Sequence, residues 1–246
     1  MNAAYSEFSP ELKAGLFMMA SRLLSYPQPD AQNSWKEIAV DYELLGAANT
    51  LEPEAWGELV EELRTRLESS QGILDWCSEY IETFETGKES NPLNETEYGR
   101  GRSLAKGSQL ADIQGFYRAF GFELDLGTAN ELPDHVAVEL EFMSLLFLKE
   151  SFLNELGDAV GLETLRDARA KFLKDHLATF ALAMTKRPGI QRSRFFYPVV
   201  TWLGALLENE CALAGVQVSP VEYILGESEP ETVCCAASPG AAGIKS

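Results

Sequence analysis

The sequence predicts an all-α protein. Three observations carry that expectation. Apolar residues recur at three- and four-residue intervals along most of the chain, these segments are bounded by helix-start and helix-stop residues, and no alternating pattern of useful strand length occurs. Of the 246 residues, 46% are hydrophobic, enough to bury a substantial core. A single helical-bundle domain of roughly seven to ten helices is expected over residues 1–225. Residues 226–246 hold Pro, Gly, Ser and Ala without periodicity and are expected to form a disordered tail.

Each element has its own signal. Ser9, Pro10 and Glu11 combine an N-cap, a proline at the first helical position and an early acid. Leu12, Leu16, Met19, Ala20 and Leu23 follow at helical spacing, and Tyr26-Pro27 stops the run. A second helix starts near Pro53 with the stripe Trp56, Leu59, Val60, Leu63 and Leu67. A third, from about Ile73 to Phe84, shows Ile73, Trp76, Cys77, Tyr80, Ile81 and Phe84 on one side. The stretch from Thr86 to Arg102, rich in Gly, Asn, Glu and Pro, reads as a long ordered loop or a partner-facing segment. Helix resumes around Gln109, buries Leu110, Ile113, Phe116, Tyr117 and Phe120, and closes on Gly121 in the left-handed conformation. Leu132-Pro133-Asp134 opens the next helix, and further helical stretches run from about Leu162 to Met184 and from Phe195 to Leu213. No internal repeat is visible.

Charge and motif content narrow the function. The net charge is −18, from 38 acidic against 20 basic residues. Such a surface repels nucleic acid and anionic membrane and could attract a basic peptide; it equally serves solubility alone. Apolar runs such as Leu145 to Leu148 fall far short of the ~20 residues of a membrane helix. Glu7 and Glu11 occupy the place of a signal peptide's positive region, so no secretion and no stable membrane association are expected. Cys77, Cys211, Cys234 and Cys235 lack metal-ligand spacing, which suggests reduced thiols in the cytoplasm and neither metal nor cofactor. Phosphate-loop, nucleophile-elbow and HExxH motifs are missing, and the only histidines are His135 and His176, so no catalytic residue is assigned. Asn94-Glu95-Thr96 matches a glycosylation sequon that a cytoplasmic chain would not use.

The segment from Leu132 to Phe152 is the most informative. With Pro133 at the first helical position, Asp134 and His135 lie in the first turn, among free N–H groups and the positive end of the helix dipole. Asp134 suits that position, and the dipole should depress the pKa of His135. Val136, Leu140, Met143, Leu146 and Phe147 make nearly half the circumference apolar, with Phe142 and Leu145 widening it, as in a central, buried helix. Glu139 falls inside that arc, where a carboxylate is costly unless paired. Either it pairs with His135 or an arginine of another helix, or Asp134, His135 and Glu139 line a mouth for a basic ligand.

Two stretches carry a family resemblance: Ala111-Asp112-Ile113-Gln114-Gly115-Phe116-Tyr117-Arg118-Ala119-Phe120-Gly121, and Leu132-Pro133-Asp134-His135-Val136-Ala137-Val138-Glu139-Leu140-Glu141-Phe142-Met143. Together they resemble the TorD/DmsD/NarJ-type molybdoenzyme chaperones. Ser21-Arg22-Leu23-Leu24-Ser25-Tyr26-Pro27 is similar to the first helix of that family, and Phe172-Leu173-Lys174-Asp175-His176-Leu177 to a later one. Asn94-Glu95-Thr96-Glu97-Tyr98-Gly99-Arg100-Gly101 looks most like the branch serving type II enzymes of the dimethyl sulfoxide reductase family. Many relatives carry Leu-Phe shortly after the matching Glu-x-Tyr; here Gly99-Arg100-Gly101 leaves part of their aromatic surface unmatched.

The resemblance implies a cytoplasmic chaperone, monomer or dimer, that holds the apo catalytic subunit of a molybdenum enzyme during cofactor insertion and covers its twin-arginine signal peptide. It implies a client-binding region around Asp134 and His135 with Leu132, Pro133, Glu139, Tyr117, Glu97 and Tyr98. An arginine-bearing, partly apolar peptide suits such acids chemically. The alternatives are a nitrate-reductase-type assembly factor that binds only its client's mature region, a small hydrolase or nucleotide-binding enzyme using His135, and a structural helical adaptor.

Overall fold

Local start signals place the early helices. Ser9 accepts a hydrogen bond from the Leu12 N–H at 3.2 Å with Pro10 next to it, and Asp41 accepts one from the Leu44 N–H at 3.0 Å. The computed structural model describes residues 2–27, 35, 38, 41–86, 91–99, 102–124 and 131–221. The expected tail and Cys234, Cys235, Arg100 and Gly101 lie outside them. In chain order the helices are α1 (Ala3–Ser6), α2 (Pro10–Leu24), α3 (Tyr42–Leu51), α4 (Pro53–Leu67), α5 (Ser70–Tyr80), α6 (Arg102–Ala119), α7 (Val136–Leu156), α8 (Ala159–Phe172), α9 (Ala178–Met184), α10 (Pro188–Gln191) and α11 (Phe196–Leu213). A π-helical turn, Ile81–Glu85, extends α5, another, Leu173–Leu177, joins α8 to α9, and Glu95–Glu97 form a 3₁₀ turn. Among the described residues there is no strand, only one isolated antiparallel bridge between Asn94 and His135. The all-α expectation therefore holds.

Three details differ from the periodicity reading. α6 begins at Arg102 rather than near Gln109, because its first turns are mostly polar and show no stripe. Val60 is 43% exposed while Trp56, Leu59 and Leu63 are buried, so the buried stripe of α4 is narrower than expected. α3 went unanticipated, although Asp41 followed by Leu44, Ala47, Ala48 and Leu51 carries both a cap and a buried face. Gly121 and Gly157, both at φ 67°, end α6 and α7 in the left-handed region that an L side chain rarely adopts.

α7 is the axis of the core. α2 lies along it in the most extensive helix contact of the fold, where Phe17 stacks on Phe147 with centroids 5.4 Å apart. α11 is buried over most of its length; Trp202 packs on Trp56 at 5.5 Å and donates its indole N–H to the Ala48 carbonyl at 3.0 Å. A second aromatic group joins α6, α7 and α8, with Phe142 4.8 Å from Tyr117 and 4.9 Å from Phe172. A buried ionic group ties the chain start to this core. Glu210 on α11 accepts from the Tyr5 hydroxyl at 3.0 Å and pairs with Arg169 at 3.2 Å; Arg169 also pairs with Glu150.

Candidate functional site

The turn before α7 is built by pairing with a distant segment. The Val136 N–H donates to the Leu93 carbonyl and the Glu95 N–H to the Asp134 carbonyl, both at 2.8 Å. This bridge draws Pro133 and Asp134 out of the helix, so α7 begins at Val136 and His135 is its N-cap. The expected placement of Pro133 at the first helical position, with Asp134 and His135 in the first turn, is thus corrected. Asp134, fully buried, leaves the helix end alone. Its carboxylate accepts from the Thr96 N–H at 3.1 Å, the Thr96 hydroxyl at 2.6 Å and the Asn94 side-chain amide at 3.1 Å.

His135 caps α7 through its ring. Nδ1 accepts from the Ala137 N–H at 3.2 Å, and Nε2 lies 3.4 Å from the Glu131 carboxylate. The geometry assigns the neutral tautomer with the proton on Nε2, since protonating Nδ1 would break the cap. Burial lowers the pKa to about 4, only partly offset by the Asp134 charge. The direction agrees with the sequence reading, but burial is the larger cause. The expected partner, Glu139, does not reach the ring; Glu131 does.

Glu139 is fully buried and neither carboxylate oxygen meets a donor. Its neighbour is another carboxylate, Glu95, and as two anions they can only repel. Burial first, then Glu95, pushes the Glu139 carboxyl well up; once protonated, it can hydrogen-bond to Glu95. Glu95 also lies 3.2 Å from His176 Nδ1, and His176 Nε2 lies 3.2 Å from Asp112. Burial alone would lower the His176 pKa, but Glu95 and Asp112 outweigh it and raise it. The result is a buried polar row from Glu139 through Glu95 and His176 to Asp112 at the surface.

A proton held on Glu139 in the fold is released on unfolding above pH 4.5, so stability falls as pH rises through its raised pKa. Glu139→Gln keeps a donor toward Glu95 without that proton. It should raise stability by about 1 kcal/mol at pH 8 and not at pH 4, measured by urea unfolding at both. Tyr117, also buried, donates its hydroxyl to the Pro133 carbonyl at 2.7 Å. Tyr117→Phe orphans that carbonyl and should cost about 1 kcal/mol in the same assay.

The structure brings together most of the sequence-identified residues, and encloses most of them within the fold. Pro133, Asp134, His135, Glu139, Tyr117 and Tyr98 are buried. Tyr98 donates its hydroxyl to the Pro92 carbonyl at 2.8 Å, and Glu97 pairs with Lys106 at 3.1 Å. Leu132, 54% exposed, and the partly exposed Glu97 are the accessible members. The sequence reading did not single out Glu95, Thr96, Asp112 or His176. Each lies inside a quoted motif, but no periodicity relates residues 81 or 64 positions apart. Among the described residues, no group of three or more His, Cys, Asp or Glu could hold a metal ion.

These features define a helical protein in which four separate motif segments, around residues 94–98, 111–121, 132–139 and 172–177, are locked into one polar junction. A family model described as nitrate reductase delta subunit matches residues 49–186, a span that contains all four segments, and the chain belongs to that family. The resemblance to the TorD/DmsD/NarJ-type chaperones is thereby borne out. The chain is 27% identical over 172 residues to the chlorate reductase assembly chaperone protein of Ideonella dechloratans, covering 70% of this chain and 74% of that one. It is 23% identical over 160 residues to the perchlorate reductase assembly chaperone protein of Dechloromonas aromatica (strain RCB), covering 64% and 69%. No solved structure matches.

Proposed function

We propose that this protein is a non-catalytic, system-specific assembly chaperone. Its client is the apo catalytic subunit of a molybdenum-containing reductase of the dimethyl sulfoxide reductase family, held in the cytoplasm until the cofactor is inserted. The observation that carries the reading is the family match across all four segments of the junction, together with relatives named as assembly chaperones. No helix among the described residues is long and apolar enough to cross a membrane.

The junction supports a division of labour. Asp134, His135, Pro133, Tyr117 and Glu139 position the turn and the 94–98 segment, while Leu132, Glu97 and the exposed Asp112 offer an apolar side chain and acids to the client. A twin-arginine signal peptide, basic and then apolar, has the complementary chemistry. Co-expression with the catalytic molybdenum subunit of a dimethyl sulfoxide reductase-family enzyme tests the reading. The subunit should co-purify with the chaperone and contain little molybdenum when made without it. A subunit that fills equally well alone would overturn the proposal. Repeating the capture with the signal peptide removed separates signal binding from a nitrate-reductase-type factor that holds the mature region only.

A further inference from the structure

The far end of α7 carries an apolar row that the fold does not use. Leu148, Phe152 and Leu156 are 50%, 58% and 63% exposed, and their four-residue spacing puts them on one face. Beyond the corner formed by Gly157 and Asp158, Val160 in the first turn of α8 is 76% exposed. Singly exposed apolar residues are ordinary; a row of bulky side chains along one face is a contact surface. It begins about 20 Å along the helix from the His135 cap, at 1.5 Å per residue, so it is separate from the junction.

The charges around the row select its occupant. Glu155, Asp158 and Glu163 are exposed beside it, Glu150 is already neutralised by Arg166 and Arg169, and Lys149 is the one base between residues 148 and 164. A second copy would bring the same acids to the same place, on a chain of net charge −18. A helix with an apolar stripe and basic flanks matches both features.

We propose that the Leu148–Phe152–Leu156–Val160 face is a second docking surface, for a basic amphipathic helical segment of the client; this rests on the chaperone reading. The probe is a synthetic amphipathic helix of leucines flanked by lysines, titrated into the full chain, beside the same peptide with glutamate flanks. The lysine peptide should bind and protect the amides of residues 145–164 from hydrogen exchange. The double variant Phe152→Ser, Leu156→Ser removes only exposed groups. It should keep the melting temperature and weaken binding at least roughly tenfold, the scale expected when the burial of two large apolar side chains is lost.

Equal binding of the glutamate peptide overturns the proposal, as does binding unaffected by the double variant. Dimerisation through this face in sedimentation, adsorption to lipid vesicles in place of peptide binding, or protection already present and lost on deleting residues 222–246 assigns the face to another occupant and overturns it too. The co-expressed reductase subunit separates the two readings. Capture by the double variant at wild-type yield overturns the second surface and leaves the chaperone reading standing, whereas failure of the wild type to capture it overturns the chaperone reading itself.

Discussion

Asp134→Ala should lower the stability of the protein by about 3 kcal/mol, because hydrogen bonds to a charged group are worth roughly 1.5–3 kcal/mol and orphaned buried donors add their desolvation. The wild-type carboxylate is fully buried and receives three hydrogen bonds from Asn94 and Thr96, across 40 and 38 residues of sequence. Deleting it strands the Thr96 N–H and hydroxyl. It also loosens the bridge that holds Leu93 and Glu95 against the start of α7. Asp134→Asn keeps one acceptor and one unfavourable donor, so it should fall between alanine and wild type. Thr96→Val removes only the hydroxyl bond and should cost about 1 kcal/mol. Because both act on one contact, the Asp134→Ala, Thr96→Val double variant should lose less than the two singles together. Urea unfolding at pH 7 measures all four. A loss below 1 kcal/mol for Asp134→Ala, or strict additivity, would show that the carboxylate does not lock the segment. Asp134→Asn that keeps wild-type stability and loses signal-peptide binding would instead make Asp134 a direct contact.

The fold was legible wherever one local signal sufficed. Ser9-Pro10 and Pro53 start their helices where the sequence indicates, and Gly121 ends α6 in the left-handed conformation. Local signals mislead where a distant segment competes for the same backbone. Leu132-Pro133-Asp134 has the composition of a helix start, but hydrogen bonds from residues 93–96 claim those positions first, moving the start to Val136 and the cap to His135. Glu139 marks the reach of the pattern argument. Its position in an apolar arc flagged it as anomalous, but its neighbour is another acid, Glu95, 44 residues earlier in the sequence. A helical wheel reports which face a residue occupies and not what stands opposite. Resemblance supplied the segments that meet at the junction. Their contacts, and the role of His176 between Glu95 and Asp112, required the fold.

The two histidines should give this protein a stability maximum near neutral pH, each limiting one side. His135 has its pKa lowered to about 4 by burial, against 6.5 in the unfolded chain. The unfolded state therefore binds a proton that the folded state refuses. Stability is fully present above pH 6.5 and declines by about 3 kcal/mol as pH falls toward 4, because each pH step between those two values removes about 1.36 kcal/mol. His176 has the opposite sign. Despite its burial, Glu95 and Asp112 hold its proton in the fold, so its contribution is full below pH 6.5 and lost as pH rises through its raised pKa. The raised Glu139 loses its contribution from pH 4.5 upward, so it offsets part of the His135 gain below neutrality before it erodes the alkaline side. On the acid side Glu79 and Glu150 add to the decline, since their hydrogen bonds and arginines outweigh burial and hold them below the ordinary carboxylate range. The contribution of His135 is isolated by His135→Asn, which retains an N-cap acceptor for α7 but cannot titrate. The variant and the wild type share the other carboxylates, so the difference between their urea-derived stabilities reports the ring alone. That difference should be small and constant above pH 7 and should move in favour of the variant by about 3 kcal/mol between pH 6.5 and 4. A difference that stays flat across that range would mean that the His135 ring takes up a proton in the folded protein as readily as in the unfolded chain, and that Nδ1 does not cap the helix.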